Sequence, residues 1–560
     1  MAAQEKTSSV HLEESIPNNA SIGMSKANDV SLAKQAAQDE RNLTVMDGLR
    51  RHPQAVMWSV LVSSAIIMEG YDIVLMPSFF AQSAFSKKYG DYRPSSDDYQ
   101  ISASWQAGLN NAVSVGTIIG AFANGYFTHK YGYRKTLLVS LASIVAFIFL
   151  TFFAPNLPVL LVGELLCGIP WGVFATMAPA YASEVCPMAL RGYLTVYVNL
   201  CWALGQLISA GVQSGFSSNT TQWAYRIPFA IQWVWPIPLF LVLYFAPESP
   251  WHLVRAGKYD EAQKSVIRLS SSTQKSNAKQ TVAMMIHTNN LEKDIDAGTS
   301  YWDCFKGIDR RRTEIVCMAF AAQPFCGSVM AGTPTYFFVQ AGLSNTISFK
   351  MSVGGLGLAS VGTIISWKLL HSVGRRTLYL WGLGGLTAIL WIVGIVSAAA
   401  KDSVAGNYTQ AVMMLLWLLV YYLTVGPICY AIISETSSTR LRNKSVCLSR
   451  ITYYIAQIIS NVVNPYMLNP TAGDWKGKTG FVWGGCAFLF FIWTFFRLPE
   501  MKGRSFEELD LLFAMKVKTR DFAKCKVDAY SAELVAQVTE LEKERPLETV
   551  YHGKDENHLG

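Results

Sequence analysis

Long apolar runs separated by short polar stretches fill most of the chain. One of them, TLLVSLASIVAFIFLTFFA, extends from Thr136 to Ala154, and CAFLFFIWTFF is a similar run near the end of the apolar part. A helix needs roughly 20 apolar residues to cross the hydrocarbon core of a bilayer. The pattern therefore predicts twelve membrane-spanning helices, which begin near Ala55, Trp105, Lys135, Leu157, Tyr193, Pro228, Thr313, Ser348, Arg376, Tyr408, Ser445 and Thr479.

One long polar segment in the middle of the chain divides these spans six and six. The sequence thus predicts an all-α integral membrane protein made of two six-helix bundles. Its predicted parts are a disordered tail (1–54), a first bundle (55–247), a linker with short helices (248–312), a second bundle (313–497) and a C-terminal tail (498–560).

The composition supports a membrane protein and excludes several other classes. Hydrophobic residues make up 51% of the chain and charged residues only 15%, against about 25% in an average soluble domain. The net charge of +8 comes from connectors and tails rather than from one basic face, so no nucleic-acid partner is expected. The sequence shows no nucleophile with its base, no metal-ligand spacing among the ten cysteines and no phosphate loop. We therefore expect neither an enzyme nor a metal or cofactor site.

The Lys and Arg residues near the span ends predict the orientation, because cytosolic ends are enriched in them. The short connectors alone decide little, since the even-numbered ones hold nine such residues and the odd-numbered ones seven. Twelve more lie near the remaining even-side ends, which places both tails and the linker in the cytosol. The glycosylation patterns at Asn219 and Asn407 then fall in outside loops.

A set of charged motifs recurs in the two halves. The first half has HKYGYRK after span 2, Glu184 and Arg191 after span 4, and PESPW at its end. The second half has HSVGRRT after span 8, Glu435 and Arg442 after span 10, and PEMKGRSFEE at its end. Three matched features at corresponding helix ends indicate an internal duplication.

These charges lie where neighbouring helices end, so they can form charge-assisted hydrogen bonds between helices. We expect them to act as a gate that holds the two bundles together in the cytosol and opens in each cycle, because exposed pairs are individually weak. The alternative is that they serve only topology and solubility. The residues concerned are Arg134, Lys135, Glu184, Arg191, Glu248, Arg375, Arg376, Glu435, Arg442 and Glu500.

These motifs resemble those of the sugar porter family of the major facilitator superfamily, and the similarity covers about residues 55–512. That family has Gly-Arg-Arg turns after spans 2 and 8, Glu and Arg after spans 4 and 10, PESP after span 6 and PETKGR at the end. The stretches EGYDIVLM, GELLCGIPWGVFATMAPAYASE and NPYMLNPTAGDWKGKTGF further resemble fungal α-glucoside permeases of the maltose type. The resemblance implies a major facilitator fold with pseudo-symmetric bundles and a sugar site near mid-membrane.

Span 1 carries two carboxylates, Glu69 and Asp72, three residues apart and therefore on one face of a helix. A carboxylate facing lipid is costly, so both should face the interior, where access to water can change their protonation. The resemblance implies that Asp72, in the GYD motif, is the proton site, and we expect Glu69 to assist it. The alternative is a permanent ion pair that holds helices together.

Two further charges depart from what the resemblance implies. The family usually has Arg in span 4 where this chain has Glu164, so the expected partner of Asp72 is missing. Arg450 is the other basic residue well inside a span, and we expect it to balance the interior acids or to bind sugar hydroxyls. Alternatively, span 11 begins later and Arg450 lies at the membrane interface.

A sugar site needs amides and an aromatic ring in a closed cavity. Gln323 and Tyr430 stand where the resemblance implies a binding Gln and a Trp, and Asn199 stands where hexose carriers have Gln. The changed residues indicate a site larger than that for a hexose. We expect Asn199, Gln206, Gln323, Tyr430 and Arg450 to bind the substrate, although each polar residue could instead bond other helices.

These inferences combine into one functional prediction: a plasma-membrane carrier that takes up α-glucosides such as maltose with protons by alternating access. We expect sugar, protons and the lipid bilayer as its partners and a monomer as the working unit. Two alternatives stay open from the sequence. The chain could be a non-transporting sugar sensor, or it could carry β-linked disaccharides or hexoses.

Overall fold

The computed structural model describes residues 44–525, apart from 95–97, 272–277, 297–299, 333, 401–402, 438–440, 503 and 505. Almost all of the described chain is helical, as the apolar pattern predicts. The elements of the first half are α1 (Val45–Arg51), α2 (Pro53–Ser63), α3 (Ala65–Phe79), α4 (Ser83–Tyr89), β1 (Asp91–Arg93), β2 (Asp98–Gln100), α5 (Ala103–Tyr131), α6 (Tyr133–Phe152), α7 (Leu157–Val185), α8 (Met188–Phe216), α9 (Trp223–Ile231), a 3₁₀ turn (Gln232–Val234) and α10 (Pro236–Leu243).

A linker with its own small apolar core joins this half to the second. Its helices are α11 (Pro250–Arg255), α12 (Tyr259–Leu269), α13 (Ala278–Asp296) and a 3₁₀ turn (Tyr301–Phe305). The second half consists of α14 (Gly307–Gln323), a π-helical turn (Pro324–Ser328), α15 (Val329–Gly332), α16 (Pro334–Gln340), α17 (Asn345–Ser372), α18 (Arg375–Ala399), α19 (Val404–Leu423), α20 (Val425–Thr436), α21 (Arg442–Leu468), a 3₁₀ turn (Lys476–Lys478), α22 (Thr479–Arg497) and α23 (Phe506–Ala514).

Ten of the described helical segments are long and apolar enough to cross a membrane. Helices α5 and α8, with 29 residues each, correspond to the remaining two of the twelve predicted spans. Polar residues such as Asn110 on α5 and Asn199 on α8 line a cavity between the bundles rather than facing lipid. The all-α membrane fold is thus confirmed.

Spans 6, 7 and 10 are each interrupted, and the interruptions of spans 7 and 10 adjoin the cavity lining. Span 6 contains the 3₁₀ turn Gln232–Val234, and span 7 contains the π-helical turn Pro324–Ser328, in which Gly327 has φ 96°. Span 10 breaks at Thr424, whose backbone (φ −126°, ψ −85°) is not helical. Interrupted helices within a membrane occur where the freed backbone groups line a cavity or are buried in protein.

The N-terminal tail departs from the expectation of disorder. Residues Val45–Arg51 form α1, and the Thr44 side chain accepts a hydrogen bond from the Asp47 amide as its N-cap. Pro53 then occupies the first turn of α2, where a missing N–H costs nothing. The expectation is therefore wrong for residues 45–51, while residues 1–43 lie outside the described part.

Candidate functional site

The central feature is a cavity of about 280 Å³ between the two bundles. Helices α3, α5, α7 and α8 form its wall on one side, and α14 with the turn after it, α17 and α19–α21 form the other. Its polar and aromatic lining consists of Glu69, Asp72, Asn110, Ser114, Thr117, Trp171, Asn199, Trp202, Gln206, Gln323, Ser328, Trp417, Tyr421, Tyr422, Tyr430, Arg450, Tyr453, Tyr454, Gln457 and Asn461. Aromatic faces with a few amides and charges are the lining that a sugar requires.

The structure brings all seven residues that the sequence assigns to the substrate and to protons into this one cavity. They come from five spans and are separated by up to several hundred residues in the chain. Their roles stay predictions, but their common location is a property of the fold. They are Glu69, Asp72, Asn199, Gln206, Gln323, Tyr430 and Arg450.

Asp72 is 2% exposed, and its Oδ1 accepts a hydrogen bond of 2.7 Å from Nε2 of Gln232. Gln232 lies in the 3₁₀ turn of span 6, which aims its amide at span 1. Sequence reasoning missed this partner, although a Gln inside the apolar run FAIQWVWP was a signal that could have found it. Among the described residues, Gln232 is the one donor to Asp72, and none of them forms an ion pair with it.

Glu69 lies one turn away, beside the indole of Trp202 and within reach of the charge of Arg450. Glu69 and Trp202 belong to the first bundle and Arg450 to the second, so opposite charges face each other across the cavity. Trp202 was not named from the sequence. It adds an aromatic face next to Glu69 in the lining.

Arg450 lies two turns inside α21, not at the end of the helix. Its guanidinium carbon is 4.8 Å from the centre of the Phe320 ring and 5.3 Å from that of Tyr430. Such contacts stabilise a cation away from water. The structure therefore places Arg450 in the cavity, as expected, rather than at the membrane interface.

The amides of the cavity differ in how they are used. Gln323 donates to the Gly426 carbonyl oxygen at 3.2 Å, and Gln206 accepts from the Tyr422 hydroxyl at 2.8 Å across the two bundles. In this conformation both side chains therefore bond other helices, which is the alternative that the sequence left open. The Asn199 Nδ2 atom is buried and has no partner among the described residues, so it remains available to a ligand.

The two bundles are closed against each other on the side of the β1–β2 hairpin, which we call the hairpin side. Tyr336 of the second bundle accepts hydrogen bonds from Nε2 of Gln100 (3.0 Å) and of Gln106 (3.2 Å) of the first. Asn469 donates to the Ile101 carbonyl oxygen at 2.9 Å, again between bundles. A single apolar core also runs across the interface here, joining residues such as Phe79 and Phe337.

The opposite side holds the linker, and we call it the linker side. The ion pairs found there among the described residues each lie within one half, within the linker, or between one half and the linker. Glu184 contacts Arg255 and the Ser249 hydroxyl of the linker and accepts from the Tyr133 hydroxyl at 2.9 Å. Arg375 binds Glu435 through two nitrogens at 2.9–3.1 Å. In this conformation the predicted latch between bundles is therefore absent from the described residues, and the side chains of Arg191 and Arg442 lie outside them.

Glu248 and Glu500 act as caps of helix N-termini. Glu248 accepts from the backbone amides of Tyr133 (2.7 Å) and Arg134 (3.1 Å) at the start of α6. Glu500 accepts in the same way from the Arg375 amide (2.7 Å) at the start of α18. A carboxylate there satisfies orphan amides and interacts favourably with the helix dipole. Glu248 and Glu500 were expected to link the two bundles as part of a gate. In this conformation each instead binds backbone amides of its own bundle.

The same geometry explains the glycine of each repeated turn. A Cβ atom at Gly132 would lie 2.6 Å from a carboxylate oxygen of Glu248, and one at Gly374 would lie 2.1 Å from an oxygen of Glu500. Gly132 also has φ 90°, which disfavours other residues. The duplication in the sequence therefore encodes one structural device used twice, a glycine turn closed by a distant glutamate.

The remaining predicted gate cations have local roles. The Arg134 guanidinium lies 5.2 Å from the centre of the Tyr244 ring, and Arg376 donates to the Phe495 carbonyl oxygen at 2.8 Å. Lys135 is exposed. His252 of the linker lies close to Glu248 and Glu184, and burial lowers its pKa, which favours the neutral imidazole.

Replacing Glu500 by Gln should lower the stability of the second bundle by about 1 kcal/mol, because the cap loses its charge but keeps an acceptor. The measurement is the apparent Tm of the purified, detergent-solubilised protein. Glu261→Gln is a matched control, since Glu261 is 57% exposed and pairs only with exposed Lys258. An equal Tm for the two variants would contradict the capping role.

No group of three or more His, Cys, Asp or Glu side chains that could hold a metal ion occurs within the described ranges. None of the ten cysteines forms a disulfide bond. The cavity lining itself supplies amide and hydroxyl groups, aromatic rings and carboxyl groups.

Comparison with known proteins agrees with this geometry. The profile of the family described as "Sugar (and other) transporter" matches residues 58–513. The maltose permease MAL31 of Saccharomyces cerevisiae is 38% identical over 529 residues, covering 92% of this chain and 85% of that protein. The general alpha-glucoside permease of the same species is 35% identical over 533 residues, with coverage of 94% and 85%. These relatives are permeases and not enzymes, as the sequence predicts.

Solved structures show the same fold. The xylose transporter XylE from E. coli in a partially occluded inward open conformation superposes with a TM-score of 0.66 at 17% identity, covering 81% of this chain and all of that one. The proton:xylose symporter XylE bound to 6-bromo-6-deoxy-D-glucose gives a TM-score of 0.65 at 19% identity, with coverage of 82% and 99%. At such identities the likeness concerns the fold alone.

Proposed function

Because the chain belongs to the sugar transporter family of the major facilitator superfamily, we propose that it takes up α-glucosides such as maltose together with protons. The choice of substrate rests on the yeast relatives, which are named for maltose and α-glucosides and match nearly the whole chain. The proton coupling rests on the site. The observation behind it is the buried carboxyl of Asp72, which lines the cavity. In the part of the chain that the structure describes, this carboxyl accepts a hydrogen bond from one neutral donor, Gln232.

The cavity offers each part of a disaccharide a suitable surface. The Trp202 and Tyr430 rings supply stacking faces on opposite walls, and Asn199 and Arg450 supply donors for hydroxyl groups. A bound sugar would therefore touch both bundles. Contacts with both walls favour an occluded conformation in which both bundles close around the sugar. Alternating access requires such a conformation between the two open ones.

In this proposal the hairpin side faces the exterior and the linker side faces the cytosol, as the Lys and Arg distribution predicts. The structure is then the inward-facing conformation, with the exterior side closed by Tyr336 and its partners. Asp72 binds a proton while the cavity is open to the exterior and loses it to the cytosol. Its neutral form is cheaper to carry through the closed state than its charged form. The protein would act as a monomer in the plasma membrane.

The test is uptake of radiolabelled maltose in yeast cells that lack their own disaccharide permeases and express this chain. We expect saturable uptake that a protonophore abolishes and that unlabelled maltose inhibits better than cellobiose, lactose, trehalose or glucose. Equilibration that ignores the protonophore would overturn the proton coupling. Preferential inhibition by another sugar would overturn the substrate, and absence of any flux in cells with surface expression would point to a sensor.

A further inference from the structure

A second carboxyl, Glu164 of α7, lies behind Asp72 and is not part of the cavity lining. It is 1% exposed, and neither of its carboxyl oxygens has a hydrogen-bond partner among the residues that the structure describes. Helix α7 packs directly against α3. Asp72 lies close enough to Glu164 for the two carboxyl groups to interact electrostatically, and Cys167 lies near both of them.

An ionised carboxylate without donors or a cation is very costly in such a place. Two carboxyl groups this close also cannot both ionise cheaply. Glu164 therefore carries a proton in this conformation, and its hydroxyl is an unused donor. Asp72 shows the opposite situation, because it lines the cavity and has one donor, Gln232, for Oδ1.

We propose that Glu164 stays protonated and acts as a positioning residue, donating its hydrogen bond to Asp72 whenever Asp72 loses its proton. A carboxylate buried from water is stabilised when it accepts two or three hydrogen bonds, and Gln232 supplies only one. A turn of the Glu164 side chain toward α3 would supply the second. The proton then leaves Asp72 for the cavity, while the proton of Glu164 remains bound and is shared along the new hydrogen bond.

This inference rests on the proposed function and makes a specific demand on the transport cycle. Net uptake requires Asp72 to release its proton on the linker side, so it depends on the second donor. Exchange of labelled for unlabelled sugar across the membrane does not require that release, because the loaded, protonated carrier can return. A residue that only stabilises ionised Asp72 therefore affects net uptake and leaves exchange unchanged.

The experiment compares Glu164→Gln with Glu164→Leu in membrane vesicles, measuring net proton-driven uptake and counterflow exchange of the same labelled sugar. Gln keeps a donor at this position, and Leu has similar bulk without one. We expect Glu164→Gln to retain both activities. We expect Glu164→Leu to lose about tenfold in net uptake, the factor typical of one lost hydrogen bond to a charged group, and to retain counterflow.

Each other result would overturn the inference. Loss of net uptake in Glu164→Gln would mean that Glu164 itself releases a proton. Unchanged net uptake in Glu164→Leu would mean that Asp72 needs no second donor, and loss of counterflow in Glu164→Leu would indicate a structural role. A failure of the proposed function is seen separately, because the unmodified protein would then show no proton-driven uptake of the sugar.

Discussion

Asp72→Asn is expected to abolish accumulation of sugar against its gradient while leaving counterflow within about threefold of the unmodified protein, a change of roughly 0.6 kcal/mol. Asparagine has almost the same shape and still accepts the hydrogen bond that Gln232 donates to Oδ1. It cannot bind or release a proton at any physiological pH. The variant therefore separates movement of the sugar from movement of the proton, which the two assays measure independently.

The control for this prediction is Asp91→Asn, which makes the same chemical change on the exposed β1 strand. It should leave both assays unchanged. If Asp72→Asn still alkalinises the medium as much per sugar as the unmodified protein does, then Asp72 is not the proton site. The nearby carboxyl Glu69, which faces Arg450 across the cavity, would be the next group to change.

Much of the fold could be predicted because a bilayer imposes strict requirements on a sequence. The length of each apolar run, the break at residues 248–312 and the repeated glycine turns are local features that need no knowledge of neighbours. The residues lining the cavity could also be predicted as a group, because a polar side chain inside a span is costly unless it faces something polar. Arg450 was found in this way, whereas Asn199 and Gln323 were assigned from the family resemblance.

What could not be predicted is which partner each polar group has. The bond between Asp72 and Gln232 joins residues 160 positions apart and depends on the 3₁₀ turn of span 6. Glu248 and Glu500 carry charges suited to a gate, yet their oxygens are used by backbone amides at the starts of α6 and α18. A backbone donor has no signature in the sequence, so charge alone suggested the wrong partner.

The same limit applies to helix packing, which positions both walls of the site. Helices α5 and α7 are held in contact by glycines, whose missing side chains let the two backbones meet. A Cβ atom at Gly116 would lie 2.1 Å from the Leu165 carbonyl oxygen, and one at Gly172 would lie 2.1 Å from that of Thr117. Helix α7 carries Glu164 and Trp171 toward Asp72, so this contact fixes the depth of the proton site.

Gly120→Val should therefore cause the largest loss of stability among the changes considered. A Cβ atom at Gly120 would lie 1.9 Å from the Ile169 carbonyl oxygen, a backbone atom that cannot move aside without separating α5 from α7. Overpacking of this kind costs about 3 kcal/mol, which corresponds to a fall of roughly 6–12 °C in Tm for a cooperative unit the size of the first bundle. Gly125→Val is the matched control, because Gly125 lies on the same helix with nothing within 4 Å of its Cβ position. Thermal unfolding of both purified variants is the measurement. A Gly120→Val protein as stable as Gly125→Val would show that the α5–α7 contact does not hold the first bundle together.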